Sequence, residues 1–377
     1  MTTGIGEPLI RKEDSRLLIG EGAFSDDLNL PGQAFAAMVR SPHAHAIIGA
    51  IKKDQALAVP GVLAVLTGKE FLADGLSSVT HLISPNSPPD IELENRDGSD
   101  IYIALHFALP ADRARFVGEA VAMVIGETLE AARDGAERVA VDYEVLPSVT
   151  GTAAAAEDGA ICAWLDAASN VSLDSVTGDE AATDAAFATA DHVVRLETWI
   201  QRVTGVPMEP RSAIGDYDPV SGRYTLYAGS GGVVRQKREL SGIFGIDTEQ
   251  FRVVAHDVGG NFGTRNAFYP EFALVVWAAR RLGCPVKWTA DRTEAFLSDH
   301  QGRDLSVEAE LALNTEGDLL ALRASVISNL GAHTVSLVPL TKGVEILSGI
   351  YAIPTAFVRG RAVLSNTPPT NPYRSAG

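Results

Sequence analysis

Short apolar runs with alternating polar positions open the chain. Residues 34–40 (AFAAMVR), 45–48 and 62–66 have the spacing and composition of strands, with turn residues such as Pro60-Gly61 between them. Residues 1–20 are polar and mixed and read as an extended arm. The stretch 78–106 is rich in Ser, Pro, Asn and Asp and reads as a long loop. A strand follows at 120–125. Helical spacing then covers 128–138, with Thr128 placed to cap it and Glu130 in its first turn. Residues 139–143 return as a strand, closing a small α+β unit near Pro147. An Ala-, Gly- and Asp-rich segment, 148–180, reads as a linker. A helix over 180–190 and a strand over 192–201 start a second unit. Two strand–loop–helix passages follow. One runs from a strand at 224–228 through Gly229-Ser230-Gly231-Gly232 to a helix at 233–244. The other runs from 251–255 through Gly259–Gly263 to a helix at 270–282, where Pro270 suits the first turn and Gly283 the cap. Residues 286–364 alternate like an antiparallel sheet. No period repeats. The pattern predicts an α+β chain organised as an arm (1–19), a first domain (20–147), a linker (148–180) and a second domain (181–377).

Composition narrows the classes of partner. A formal net charge of −17 disfavours nucleic acid and anionic membrane surfaces, which reward clustered Lys and Arg. The two cysteines, Cys162 and Cys284, stand far apart without CxxC spacing, so they cannot hold an iron–sulfur cluster or a structural zinc. The longest apolar stretch, 272–279, is too short to cross a bilayer. The start, Met1-Thr2-Thr3-Gly4-Ile5-Gly6, has no basic region followed by an apolar run. These features lead us to expect a cytoplasmic protein.

The candidate chemistry lies in two glycine-bearing loops. In Asp257-Val258-Gly259-Gly260-Asn261-Phe262-Gly263, glycines after a strand let backbone amides approach an anion or an oxo group. The loop is neither a dinucleotide fingerprint nor a Walker A loop, because the GxGxxG spacing and a Gly-Lys-Ser/Thr run are both missing. The second loop is the terminal Asn371-Pro372-Tyr373-Arg374-Ser375-Ala376-Gly377. Several histidines and charges have ordinary readings. His43 and His45 suit packing or hydrogen bonding, Glu119 a satisfied structural carboxylate, and Arg235, Lys237 and Arg238 a solvated helix face. His256-Asp257 suits a structural pair.

The two loops do not stand alone. Arg40-Ser41-Pro42-His43-Ala44-His45-Ala46, Val117-Gly118-Glu119-Ala120-Val121-Ala122, Pro207-Met208-Glu209-Pro210-Arg211, Tyr269-Pro270-Glu271, Pro285-Val286-Lys287-Trp288 and Asn366-Thr367-Pro368-Pro369-Thr370 accompany them. In this order, over nearly the whole chain, they resemble the large subunit of the molybdenum hydroxylases, the xanthine dehydrogenase and aldehyde oxidase family, with similarity to the aerobic carbon monoxide dehydrogenase branch. The resemblance implies an N-terminal hammerhead α/β domain over 20–147. It implies a first molybdopterin-binding α+β domain over 181–377, truncated, with the C-terminal half missing. It implies a molybdenum–molybdopterin cofactor in its cytosine dinucleotide form, with [2Fe-2S] and FAD on partner subunits, and hydroxylation of an N-heterocycle or aldehyde with oxygen from water. The family's base is a glutamate in the missing half, so no residue here is assigned as catalytic or as a metal ligand.

Carried over position by position, Gly231, Gly260, Asn261, Phe262, Gly263 and Arg374 are the expected cofactor-binding residues. Asn266, Lys342, Ser375 and Ala376 are the expected substrate pocket. Gly231 stands where the family has a Gln that hydrogen-bonds an oxo ligand, and the loss of such a donor predicts compensation nearby. Asn266 and Lys342 stand where purine hydroxylases have Glu and Arg, and Lys cannot make the planar bidentate contact of Arg. Ser375 replaces the copper-binding Cys of carbon monoxide dehydrogenase, and a hydroxyl is a poor ligand for Cu(I). Ala376 replaces a ring-stacking Phe. The rival readings are a non-catalytic cofactor-binding or assembly protein, half of a split large subunit, a fragment of a longer chain, and a carbon monoxide dehydrogenase large chain.

Overall fold

Residues 4–83 and 91–374 are described by a computed structural model of the chain. In chain order the first part has α1 (Asp14–Leu18), β1 (Ala34–Arg40), β2 (Ala46–Lys52), α2 (Asp54–Leu57), β3 (Val62–Thr67), α3 (Gly68–Ala73), β4 (Arg113–Ala114), β5 (Ala120–Gly126), α4 (Leu129–Glu137) and β6 (Ala140–Val145). Then come α5 (Thr152–Ala155), β7 (Val171–Gly178), α6 (Glu180–Ala188), β8 (His192–Ile200), β9 (Val203–Thr204), β10 (Ser212–Asp218), β11 (Arg223–Ala228) and α7 (Val233–Phe244). The last part has β12 (Phe251–Val254), α8 (Pro270–Leu282), β13 (Val286–Thr289), α9 (Arg292–Ser298), β14 (Gln301–Gly302), β15 (Leu305–Leu313), β16 (Leu319–Gly331), α10 (Val338–Glu345) and β17 (Thr355–Leu364).

Local chemistry explains the helix ends. The Thr128 hydroxyl accepts from Ala131 N at the start of α4. Pro270 opens α8, and Gly283 closes it in the left-handed region at φ 70°. Helix α8 is buried from Glu271 to Ala279, which its apolar sequence requires.

The strands form two large sheets. One has the order β12-β11-β10-β13-β1-β5-β3. Its middle joins sequence-distant strands: β1 pairs parallel with β13, Ala34 against Val286 and Ala36 against Trp288. Strands of the N-terminal unit and of the later strand–loop–helix units therefore share one sheet and one core, with α8 packed over β10. The second sheet has the order β7-β17-β16-β15-β8. Small sheets β4-β2-β6 and β14-β9 complete the set.

Three local expectations change. Residues 286–364 do not form one antiparallel sheet: β13 belongs to the first sheet, and β16 pairs parallel with β17. A parallel partner needs a crossover of a dozen or more residues, and the segment carrying α10 supplies it. The presumed linker carries α5 and β7, and β7 pairs antiparallel with β17. The arm contains α1, and Arg16 in it is ion-paired to Asp257 at 2.5 Å. Of the long loop 78–106, residues 84–90 lie outside the described residues. Its two ends meet at a bridge between Val79 and His106.

A candidate cofactor site where three loops meet

Strand β11 delivers Gly229–Gly232 to the start of α7, β12 delivers residues 257–266, and the segment after β17 delivers 366–374. Hydrogen bonds tie these loops together. Gly231 N donates to Arg265 O at 2.9 Å, and Arg374 N donates to Phe262 O at 2.8 Å. Asn371 Nδ2 donates to Gly263 O at 3.1 Å. The expected cofactor residues Gly231, Gly260, Asn261, Phe262, Gly263 and Arg374 therefore lie on loops in direct contact.

Two glycines are demanded by closeness. Gly263 has φ 98°, and a Cβ there would lie 2.1 Å from Pro372 O. A Cβ on Gly231 would lie 1.8 Å from Asn266 Oδ1 and 2.4 Å from Asn261 Nδ2. Those two side chains bond to each other across the glycine, Asn261 Nδ2 donating to Asn266 Oδ1 at 3.0 Å. Asn261 Oδ1 also accepts from Gly263 N at 2.9 Å. Phe262 holds φ 51°, uncommon for a residue with a side chain, and its ring is 40% exposed.

A carboxylate anchors the loop from behind. Glu209 accepts from Gly259 N at 2.8 Å and from Ser25 N at 3.2 Å. Asp257 accepts from both terminal guanidinium nitrogens of Arg16 and from Ala23 N. The Arg16 contact holds its carboxyl well below the usual range. Asp257 is thus tied to the N-terminal arm, which places that arm against the glycine loop.

Below the loop stands a buried ion cluster. Arg211 is fully buried, with its guanidinium 3.9 Å from the Tyr269 ring centroid and 5.0 Å from that of Trp288. It donates to Glu271 Oε2 at 2.5 Å, Asp299 Oδ1 at 2.6 Å and Ser298 Oγ at 2.7 Å. Arg40 on β1 donates to Glu271 Oε1 and Glu294 Oε1, both at 2.8 Å. Burial alone would raise the Glu271 carboxyl, but Arg211 and Arg40 outweigh it and hold it at about 2. The Tyr269 hydroxyl donates to Thr264 O at 2.9 Å, which carries this rigid support up to the loop. Beside it, His300 stacks on Tyr269, and His81, His106 and His333 continue the buried cluster. Burial first, then the Arg211 charge, push His300 down to about 3. Burial likewise holds His81 and His106 well below the ordinary histidine value.

Several buried donors near the loops have no hydrogen-bond partner among the described residues: Arg265 Nε, and Arg235 Nε and Nη2. Burial lowers the pKa of both guanidiniums. Arg235 is therefore not on a freely solvated helix face. Among the described residues no group of three or more His, Cys, Asp or Glu is placed to hold a metal ion.

The expected pocket residues divide. Asn266 joins the loops. Lys342 is on α10, which packs on β16 and β17, and its Nζ meets Glu345 Oε2 at 2.6 Å. Ser375 and Ala376 lie outside the described residues. Glu209, Arg211, Glu271 and Arg40 escaped site assignment on sequence. Their signal was a charged residue inside an otherwise apolar or proline-flanked phrase, and only the fold reveals that these phrases converge. His45 and Glu119 have structural partners: the His45 Nδ1 to Pro147 O distance is 2.8 Å, and Glu119 lies 2.7 Å from His333 Nε2.

Comparison with known proteins places this geometry. Residues 166–377 match the model of the molybdopterin cofactor-binding domain, and residues 19–147 that of the aldehyde oxidase and xanthine dehydrogenase a/b hammerhead domain. The chain is 33% identical over 388 residues to the 6-hydroxypseudooxynicotine dehydrogenase complex subunit gamma of Paenarthrobacter nicotinovorans, covering 99% of this chain and 46% of that protein. It is 32% identical over 373 residues to the carbon monoxide dehydrogenase large chain of Hydrogenophaga pseudoflava, covering 95% and 44%. Among solved structures, quinoline 2-oxidoreductase from Pseudomonas putida 86 superposes with a TM-score of 0.88 at 32% identity, covering 98% of this chain and 46% of that one. The chain thus spans a little under half the length of these relatives. Among the described residues no helix is long and apolar enough to cross a membrane.

Proposed function

The chain belongs to the molybdopterin-binding xanthine dehydrogenase and aldehyde oxidase family, and we propose that it forms one wall of the cofactor site in the large subunit of a molybdenum hydroxylase. The observation that carries this reading is the meeting of loops 229–232, 259–266 and 371–374 through hydrogen bonds to backbone carbonyls. The residues fit the group. Gly231, Gly260 and Gly263 let the loops close on one another where a side chain has no room, and Arg265 Nε is a buried donor without a hydrogen-bond partner among the described residues, suited to an anionic or oxo-bearing cofactor. The bound group supplies the redox chemistry that hydroxylates an electron-poor carbon with oxygen from water.

This chain's own residues position and exclude. Gly260, Asn261, Phe262 and Gly263 form the loop against the cofactor, and Phe262 shields it from water. Arg374 adds positive charge at the rim. Asn266 takes over the hydrogen-bond role for which Gly231 has no side chain: its Oδ1 is held by Asn261, and the rest of its amide stands at the loop surface. The catalytic base comes from the polypeptide that corresponds to the rest of the relatives' length. The full assembly is cytoplasmic, carries molybdopterin cytosine dinucleotide, passes electrons to [2Fe-2S] and FAD subunits, and oxidises an N-heterocycle or aldehyde.

The test is metal analysis and dye-linked turnover on two samples, the 377-residue chain alone and its complete complex. About one molybdenum per complex, with turnover, is expected, against well under one and no turnover for the chain alone, since a half-site leaves polar cofactor groups unpaired. Stoichiometric molybdenum on the chain alone would overturn the one-wall reading. A complex without molybdenum would overturn the cofactor assignment.

A further inference from the structure

Among the described residues, strand β8 is an edge left open along its whole length. All nine residues, His192–Ile200, are exposed, although they pair without a break to β15. Val194 is 56% exposed, Leu196 58% and Trp199 64%. The strand contains no Lys or Pro, which commonly protect an edge from pairing, and its charges Arg195 and Glu197 lie on the face away from Val194, Leu196 and Ile200.

The opposite edge of the same sheet is treated differently. Strand β7 is sealed by the chain itself: Arg96 N donates to Asp174 O, Tyr102 N donates to Ser172 O, and Asn95 Oδ1 accepts from Asp174 N. An edge covered at β7 and bare at β8 marks β8 as the side meant for a partner.

The two faces of β8 differ. Val194, Leu196 and Ile200 stand opposite Leu311, Ala309 and Leu305 of β15. Leu305 is buried in the core of this sheet, and Ala309 packs against that core. The apolar face of the sheet therefore continues outwards, uncovered, to the edge. On the other face Arg195 is paired with Glu310 at 2.5 Å.

We infer that β8 is the docking edge for the remaining polypeptide of the large subunit, which adds a strand along it and covers Val194, Leu196 and Ile200. This rests on the reading of the chain as one wall of a molybdenum hydroxylase site. Two observations select that occupant. The relatives extend over about twice the length, this chain covering 44–46% of them. From Ile200 the backbone also runs directly to the glycine loops: a Cβ on Gly205 would meet Thr264 Cγ2 at 2.8 Å, and one on Gly260 would meet Pro207 Cβ at 3.0 Å. Exposed apolar side chains follow this path, through Val206 and Met208 to Phe262 and Val234. One body lying on β8 and continuing along this path closes the open side of the cofactor wall.

Amide hydrogen exchange reads this directly. In the 377-residue chain alone, the outward amides of 192–200 exchange freely. In the complete large subunit they exchange about 100-fold more slowly, while the α8 amides are protected in both samples. The double substitution V194K/L196K sits on exposed positions, so it leaves α8 protection intact and restores fast exchange at β8 in the complete subunit. Equal exchange at β8 in the two wild-type samples overturns the inference. So does sedimentation of the chain alone as a dimer that V194K/L196K converts to monomer, because the occupant is then a second copy. Molybdenum content is measured on the same complete subunit. Molybdenum without β8 protection sinks this inference and leaves the proposed function standing; β8 protection without molybdenum does the reverse.

Discussion

Gly231 and Gly263 are both crowded, but by different things, and the difference predicts different phenotypes. The atoms facing Gly231 belong to the exposed side chain of Asn266 and to Asn261. Those ends can move. Gly231→Ala should therefore cost under about 1 kcal/mol of stability, while breaking the Asn261–Asn266 bond and lowering cofactor retention. Thermal unfolding of the chain, together with molybdenum per complex, checks this: an unchanged molybdenum content would remove Asn266 from the site. The buried histidines make a second prediction. His300 sits at about 3 against an ordinary 6.5, so it is neutral in the fold, while the unfolded chain takes up a proton as pH falls below 6.5. His81 and His106 shift in the same direction. Stability is therefore complete above pH 6.5. For His300 the loss is about 1.4 kcal/mol per pH unit below it, and His81 and His106 add to it in the same direction. Glu271, held at about 2 against 4.5, adds a further loss only as pH falls from 4.5 towards 2. Thermal melts between pH 7.5 and 5 should show the histidine-driven fall, and His300→Phe should make it shallower. A melting temperature independent of pH over that range would contradict the buried neutral assignment.

Helix α8 lies close against strand β10. A Cβ on Gly215 would lie 2.3 Å from the carbonyl carbon and oxygen of Val275 and 2.4 Å from Val276 N. These are backbone atoms of a buried helix and cannot step aside. Gly215→Ala should destabilise the chain by about 1–3 kcal/mol or more, read as a lower denaturation midpoint. A midpoint unchanged from wild type would mean that α8 does not lie on β10 this closely. The elements also explain where pattern reading succeeded. The helices at 233–244 and 270–282 have capping residues and an apolar face within their own sequence, and both form over those residues. Strand pairing has no such local record. The parallel partnership of β16 with β17 depends on a crossover, and a period-2 pattern is the same for either direction.

The complete protein's substrate range is the prediction at the largest scale. On the expectation that Asn266, Lys342 and Ser375 stand in place of the purine-gripping Glu and Arg and the copper-binding Cys, the reconstituted enzyme should oxidise neither xanthine nor carbon monoxide efficiently. An N-heterocyclic carboxylate or a bulkier aromatic aldehyde should be preferred. Comparing kcat/KM across these four substrates tests it, and efficient turnover of xanthine or carbon monoxide would refute the chemical reading of these positions.

The sequence by itself determined the family, the glycine loops and the α+β class, because motifs and caps are local and are written in consecutive residues. It also raised the expectation that Gly231 stands where the family carries a side chain. Only the tertiary structure decided what fills that space, since Asn261 and Asn266 reach it from thirty or more positions along the chain. It also decided that Arg40, Arg211, Glu271 and Asp299 form one buried ion cluster, joining β1 to the residue before β10, to α8 and to the end of α9, all more than 160 residues away. Charge pairing of that kind depends on which sequence-distant segments share a core, and no local pattern encodes it. The same holds for β8. Its apolar alternation reads as an ordinary strand, and only its place at the end of the β7-β17-β16-β15-β8 order leaves it bare.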